Sequence, residues 1–223
     1  EDPISFSVPT GNFGNVFAGY GAKRMGLNIE KLIIGSNRND ILYRFFNDGR
    51  MLSATVEPTI SPSMDIQISS NFERLLFELY GRDGKITQTM MKSFSKNGSY
   101  EVGRKQLEEA LNLFAAQRFT DDETLAIMTQ ILNENKEILD PHSAIGVAAG
   151  RAKRMNHETP HISLATAHPA KFPDAVKQAC GEHPSLPHYL SNLYELPENF
   201  TVLDNDRTQV QDYINNHRMD GVH

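Results

Sequence analysis

Short apolar runs alternate with polar turns along the first fifty residues, the rhythm of strands and helices taken in turn. Ile4 to Val8, apolar around Ser5 and Ser7, predicts a short buried strand that Pro9 stops. A polar turn, Thr10-Gly11-Asn12-Phe13-Gly14-Asn15, comes next. Val16 to Met25, rich in Gly and Ala, then predicts a helix with Gly26 as its C-terminal cap. The run "KLIIGSN" at 31–37 predicts a second strand ending in turn residues. Asn39 or Asp40 then caps a helix through "ILYRFFNDG", which Gly49 stops.

Residues 51–70 hold two prolines and no helical period, and predict an irregular loop with at most one short strand. In "NFERLLFELYG" (71–81), Phe72, Leu75, Leu76 and Leu79 share one face of an amphipathic helix. Residues 82–137 read as helical and mobile, "GRKQLEEALNLFAAQRF" (103–119) included. The last of these helices opens on Thr120 or Asp121 with an acidic first turn. A helix entered through a proline turn is predicted at 139–155, a strand ending in a loop at 161–172, and a helix with Pro173 in its first turn at 173–181. The tail 182–223 is polar and proline-rich, with one short helix near its end. Alternating strands and helices predict an α/β fold on a parallel sheet. Its sheet-forming parts lie at about 4–70 and 139–181, with a helical insert at about 71–137 between them.

The net charge of −6 provides no basic field to capture a phosphate backbone, which argues against nucleic acid as a partner. The single cysteine, Cys180, has no internal disulfide partner and fits a reducing, cytoplasmic compartment. No run of about 18 apolar residues predicts a membrane span. The first residues, "EDPISF", lack both a start Met and a signal pattern, so the chain reads as beginning inside a protein.

Chemistry concentrates in the first turn. A strand, a glycine-containing turn and a helix N-terminus leave backbone N–H groups free, and the helix dipole adds about half a positive charge. Gly11 and Gly14 would supply positive φ and close approach of a phosphate, and Asn12 and Asn15 would add side-chain donors. The turn lacks the lysine of a P-loop and the spacing of G-x-G-x-x-G, so a single phosphate on a small cofactor suits it better than a nucleotide. A plain strand-to-helix turn, with glycines for conformation alone, is the competing reading of the spacing.

The stretch "PTGNFGNVFAGYGAKRMG" resembles the phosphate-cradling loop of the threonine synthases, pyridoxal-phosphate (PLP) enzymes of the tryptophan-synthase-β-like fold. "GSNRNDIL" (35–42), "SPSMDIQISSNFERLLFEL" (61–79), "DPHSAIG" (140–146) and "LATAHPAKF" (164–172) are similar to stretches of that family, so the resemblance covers about residues 4–200. Thr10 stands where the family usually has Ser, and keeps the hydroxyl.

The resemblance implies that Gly11, Asn12, Phe13 and Asn15 line the PLP phosphate site, largely through backbone N–H groups, with Gly14 needed for conformation. It implies that Thr166 meets the pyridine nitrogen. Ser61, Ser63, Ser69 and Asn71 are candidate substrate contacts, with Asn71 equally a helix cap. His168, Lys171 and Arg74 are candidate phosphate or carboxylate contacts, and His142 reads as a helix-start residue rather than a base. No metal is implied. None of the lysines lies in a context matching the family's Schiff-base lysine, so no catalytic residue is expected in this chain. It reads as the C-terminal portion of an enzyme converting O-phosphohomoserine and water to L-threonine and phosphate, inactive alone and with apolar surface exposed at the lost interface. A related phospho-lyase giving a 2-oxo acid, and a non-catalytic module binding a phosphate ligand, are the alternatives.

Overall fold

The computed structural model describes residues 2–218, in two compact units, Glu1–Ser185 and Leu186–His223. In the first unit, β1 (Ile4–Pro9), α1 (Gly14–Arg24) and β2 (Ile29–Ser36) form one parallel crossover. There follow α2 (Ile41–Asp48), β3 (Arg50–Leu52), α3 (Phe72–Leu79), α4 (Gly84–Asn97), β4 (Ser99–Glu101) and α5 (Arg104–Leu113). The unit closes with β5 (Phe114–Arg118), α6 (Asp121–Asn135), α7 (Pro141–Lys153), β6 (His161–Ser163) and α8 (Pro173–Cys180). The second unit holds two short 3₁₀ turns and α9 (Arg207–Asn216). The tail expected at 182–223 runs into residues 219–223, which lie outside the described residues.

The main sheet has the order β5-β2-β1-β6, and every pairing in it is parallel. β3 and β4 form a separate antiparallel ribbon. β2 is buried on both faces, as its unbroken apolar run requires. Leu32 and Ile34 face a cluster of Phe13, Phe45, Phe46, Phe72 and Phe114. On the other face α7 lies close. A Cβ on Gly35 would sit 2.9 Å from Ile145 Cγ2, one on Gly146 would sit 2.9 Å from Pro9 Cδ, and one on Gly150 would sit 2.9 Å from Ser7 Oγ. These glycines let the α7 backbone approach the sheet and run antiparallel to β1, with its N-terminus at the C-terminal end of that strand.

The helical reading of 82–137 fails at two places, the first being Ser99–Glu101, which is β4 of the antiparallel ribbon. Residues 103–119 read as helical, yet the helix ends at Leu113 and Phe114–Arg118 is β5, paired with β2 from Leu32↔Phe114 to Ser36↔Arg118. The helix preference of Ala115, Ala116 and Gln117 yields to a ladder in which Phe114 and Ala116 are buried. The stretch expected as a helical insert therefore contributes an edge strand to the sheet. The strand expected across 161–172 is only three residues long. The α6 start is as read: Thr120 and Glu123 form a reciprocal capping box. At α2, Asp40 stands at the cap position, but its carboxylate takes Arg44 and Arg118 instead of the first-turn amides.

An apolar groove of about 330 Å³ runs beside α1, lined by Phe6, Val8, Leu27, Ile162 and Leu164 among others. On the opposite face of β6, His161 packs against Gly150 with both ring nitrogens buried and without a hydrogen-bond partner among the described residues. Burial first, and Arg154 second, push its pKa below the ordinary histidine value. The folded state therefore holds the neutral ring. Its contribution is complete above the unfolded pKa of about 6.5 and is lost as pH falls through the lower folded value. Urea midpoints of this chain are expected to fall on acidification from about pH 6.5, and His161→Leu is expected to flatten that slope. An unchanged slope in the variant would remove His161 as the cause.

Candidate functional site

The turn after β1 is built by fixing its carbonyls and leaving its amides. Thr10 is buried; its N–H donates to Gly35 O (2.8 Å) and its hydroxyl to Val8 O (2.6 Å). Gly11 O accepts from Ser69 Oγ (2.9 Å). Asn12 O accepts from both Asn71 N (3.0 Å) and Asn71 Nδ2 (3.1 Å). Phe13 O accepts the first helical bond, from Phe17 N (2.9 Å). The Gly14 N–H folds back onto Asn12 Oδ1 (3.0 Å). The N–H groups of Gly11, Asn12, Phe13 and Asn15 have no hydrogen-bond partner among the described residues. Four unpaired amides at the start of an eleven-residue helix are a cradle for an anion, and no acidic side chain stands in the turn.

The backbone reaches this shape by a route the glycines do not suggest. Neither Gly11 nor Gly14 has positive φ; the left-handed residue is Phe13, at φ 68. Its ring is fully buried, 4.9 Å from Phe72 edge-on and 5.8 Å from Phe114. A left-handed backbone costs a bulky residue roughly 1–2 kcal/mol, and the buried ring holds it there. Gly11 serves close approach to protein: a Cβ there would lie 3.2 Å from Ser63 O and 3.3 Å from Met64 Cα.

The loop under Gly11 is itself pinned. Asp65 Oδ1 accepts from Asn37 Nδ2 (2.8 Å), Asn39 Nδ2 (2.9 Å) and Thr59 Oγ1 (2.7 Å), and Asp65 Oδ2 accepts from Thr59 N (2.9 Å). Ser61 is buried and accepts from Asn37. The side chains of Asn37, Asn39 and Asp65 thus join the turn after β2 to the loop after β3. Their motifs stand out in the sequence, but this role in joining them does not.

Thr166 follows β6, and its side chain is exposed. Its N–H donates to Ser143 Oγ (3.2 Å) on α7. β6 pairs with β1, and Leu164 N donates to Ser7 O (2.9 Å), so the Thr166 loop and the Gly11–Asn15 turn leave neighbouring strands at the same edge of the sheet. Ligands of open parallel sheets bind at that edge. Beside it, His142 is buried at the start of α7, with Nδ1 2.7 Å from Asp140 Oδ2. Burial raises the Asp140 pKa, and the hydrogen bonds from His142 and Ser143 outweigh it, holding the carboxyl below its ordinary value.

The remaining candidates divide. Ser69 and Asn71 hold the turn's carbonyls, and Ser61 lies in the Asn37 network. Arg74 is exposed, its guanidinium 6.0 Å from the Phe17 ring. His168 caps a 3₁₀ turn by accepting from Ala170 N, and Lys171 lies over Phe172. No helix among the described residues is long and apolar enough to cross a membrane.

Fold and turn together define an α/β domain with an anion cradle at the C-terminal edge of a parallel sheet. A family model described as "Threonine synthase, C-terminal" matches residues 143–214. A threonine synthase from Pseudomonas aeruginosa is 46% identical over 215 residues, 96% of this chain and 46% of that protein. A crystal structure of PLP-bound threonine synthase from Brucella melitensis superposes with a TM-score of 0.90 at 51% identity, over 96% of this chain and 46% of that one. The yeast threonine synthase structure gives 0.84 at 39% identity, over 96% of this chain and 47% of that one. Over nearly its whole length the chain is similar to threonine synthases, and it spans just under half the length of the relatives it matches.

Proposed function

We propose that this chain is the C-terminal part of a PLP-dependent threonine synthase acting in the cytoplasm. In this reading Gly11, Asn12, Phe13, Gly14 and Asn15 hold the cofactor phosphate, and Thr166 meets the pyridine nitrogen. The observation that carries it is the turn after β1, where the carbonyls of Gly11, Asn12 and Phe13 are taken and four N–H groups are left over. A phosphate group supplies the acceptors those donors lack, next to the positive end of α1. The residues therefore fit the cofactor.

When bound, PLP supplies an electron sink for the substrate carbon skeleton. The chain's own residues bind and orient it. Gly14 shapes the cradle by closing onto Asn12 rather than by donating outward. The Thr166 hydroxyl is neutral, so it would meet the ring nitrogen without holding a proton there as a carboxylate would. That moderates the sink and suits elimination and replacement at the β and γ carbons over transamination. The reaction is the last step of threonine biosynthesis: O-phosphohomoserine loses phosphate from Cγ, water adds at Cβ, and L-threonine leaves. In this reading none of the lysines of this chain is the one that moves the protons.

Two assays test this. The 223-residue chain, mixed with PLP, reduced with borohydride and mapped by peptide mass spectrometry, is expected to show no stoichiometric lysine adduct. The full-length protein is expected to release threonine and phosphate in equal amounts from O-phosphohomoserine. A single stoichiometric adduct on this chain would overturn the division of labour, and a 2-oxo acid in place of threonine would overturn the reaction.

A further inference from the structure

Asp140, His142 and Ser143 are all buried, at 0%, 3% and 2% exposure, and none of them belongs to the cradle. An aspartate–histidine pair beside a ligand site has the composition of a general base. Its geometry here is different. Nδ1 of His142 lies 2.7 Å from Asp140 Oδ2, and Asp140 also accepts from the N–H groups of His142 (3.0 Å) and Ser143 (3.1 Å). The other ring nitrogen, Nε2, accepts the backbone N–H of Ser63 (3.1 Å). That fixes the tautomer: the proton is on Nδ1, and the Nε2 lone pair is already used. The ring has no free acceptor to take a proton from a substrate.

What His142 does is hold Ser63. Ser63 O and Met64 Cα form the wall against which Gly11 closes, at 3.2 and 3.3 Å from where a Cβ would stand. One residue on, Ser143 Oγ accepts the Thr166 N–H (3.2 Å). Phe172, downstream of Thr166, adds a second contact, its ring centroid 4.5 Å from that of His142. The α7 axis cannot shift easily beneath these bonds, because Gly146 and Gly150 seat it directly on β1.

We infer that Asp140, His142 and Ser143 are positioning residues that set the two ends of the cofactor site separately: His142 the phosphate end through Ser63 and Gly11, Ser143 the ring end through Thr166, with Asp140 orienting both. This rests on the reading that the site takes PLP. It adds a device which neither the turn nor Thr166 contains.

The test uses the full-length protein loaded with PLP, read by the ³¹P shift of the bound phosphate and by the absorption band of the ring. Ser143→Ala is expected to move the absorption band and leave the ³¹P shift in place. His142→Phe keeps a ring against Phe172 but removes the acceptor. It is expected to move the ³¹P shift, weaken PLP about five- to tenfold, the net worth of one hydrogen bond, and leave the band in place. His142→Gln, which restores an acceptor for the Ser63 N–H, is expected to recover most of the affinity, and carries the test if the Phe variant does not fold. Unchanged signals in these variants, or both signals moving together in step with a fall in Tm, would overturn the inference while leaving the cofactor reading intact. A wild type with no bound ³¹P signal would overturn the cofactor reading, and the inference with it.

Discussion

Phe13→Ala is expected to lower the stability of this chain by about 3–5 kcal/mol, the largest effect of any single truncation in the turn. The ring is fully buried and touches the aromatic side chains of α2, α3 and β5, so its loss opens a cavity where those elements meet. The backbone adds a second, separable component. Phe13 sits at φ 68, which alanine adopts no more readily than phenylalanine, and glycine adopts freely. Phe13→Gly should therefore be no less stable than Phe13→Ala, against the usual order of roughly 0.5–1 kcal/mol in alanine's favour. Denaturant unfolding of the two variants side by side measures both parts. A loss under about 1 kcal/mol for the alanine variant would show that the ring does not anchor the turn.

Gly146→Val is expected to cost about 3 kcal/mol, at the upper end of ordinary overpacking. The first carbon of any side chain there would meet Pro9 Cδ at 2.9 Å, and that ring is rigid and ends β1. The strain has to be relieved by moving α7 off the sheet, which carries Asp140, His142 and Ser143 with it. The variant is therefore expected to lose PLP affinity in the full-length protein as well as stability in this chain. A variant with normal PLP affinity and an unfolding midpoint near that of the parent would show that helix and strand tolerate the separation.

Much of the site is legible in the residues because it is local. Pro9 ends a strand, Gly11 to Asn15 turn, and small residues begin a helix; each step follows from backbone chemistry within six positions. The capping box at Thr120 and Glu123 is local in the same sense. What stays hidden depends on distant partners. β5 is composed of residues that favour helix, and only β2, some eighty residues earlier along the chain at the Leu32↔Phe114 pair, makes it a strand. Left-handed φ at Phe13 goes unsuspected beside two glycines, because the force that holds it is the packing of Phe46, Phe72 and Phe114 around its ring. The hydrogen bonds from Ser63 to His142 and from Thr166 to Ser143 span 79 and 23 residues, and no motif spacing encodes them.

The position of β1 between β2 and β6 also governs the order in which the site is assembled. Contacts across β1 and β2 close loops of about 25 residues, as between Ser5 and Glu30, whereas contacts across β1 and β6 close about 156, as between Ser7 and Ser163. The longer closure costs about 1.6 kcal/mol more in chain entropy, and it is rewarded by a strand of only three residues. The crossover that forms the Gly11–Asn15 turn is therefore expected to form early, and β6, with Thr166 just beyond it, to dock late. In the proposed reading, a ligand bridging both ends would favour that late docking by mass action, and the cofactor would then act as a folding partner for the sheet edge.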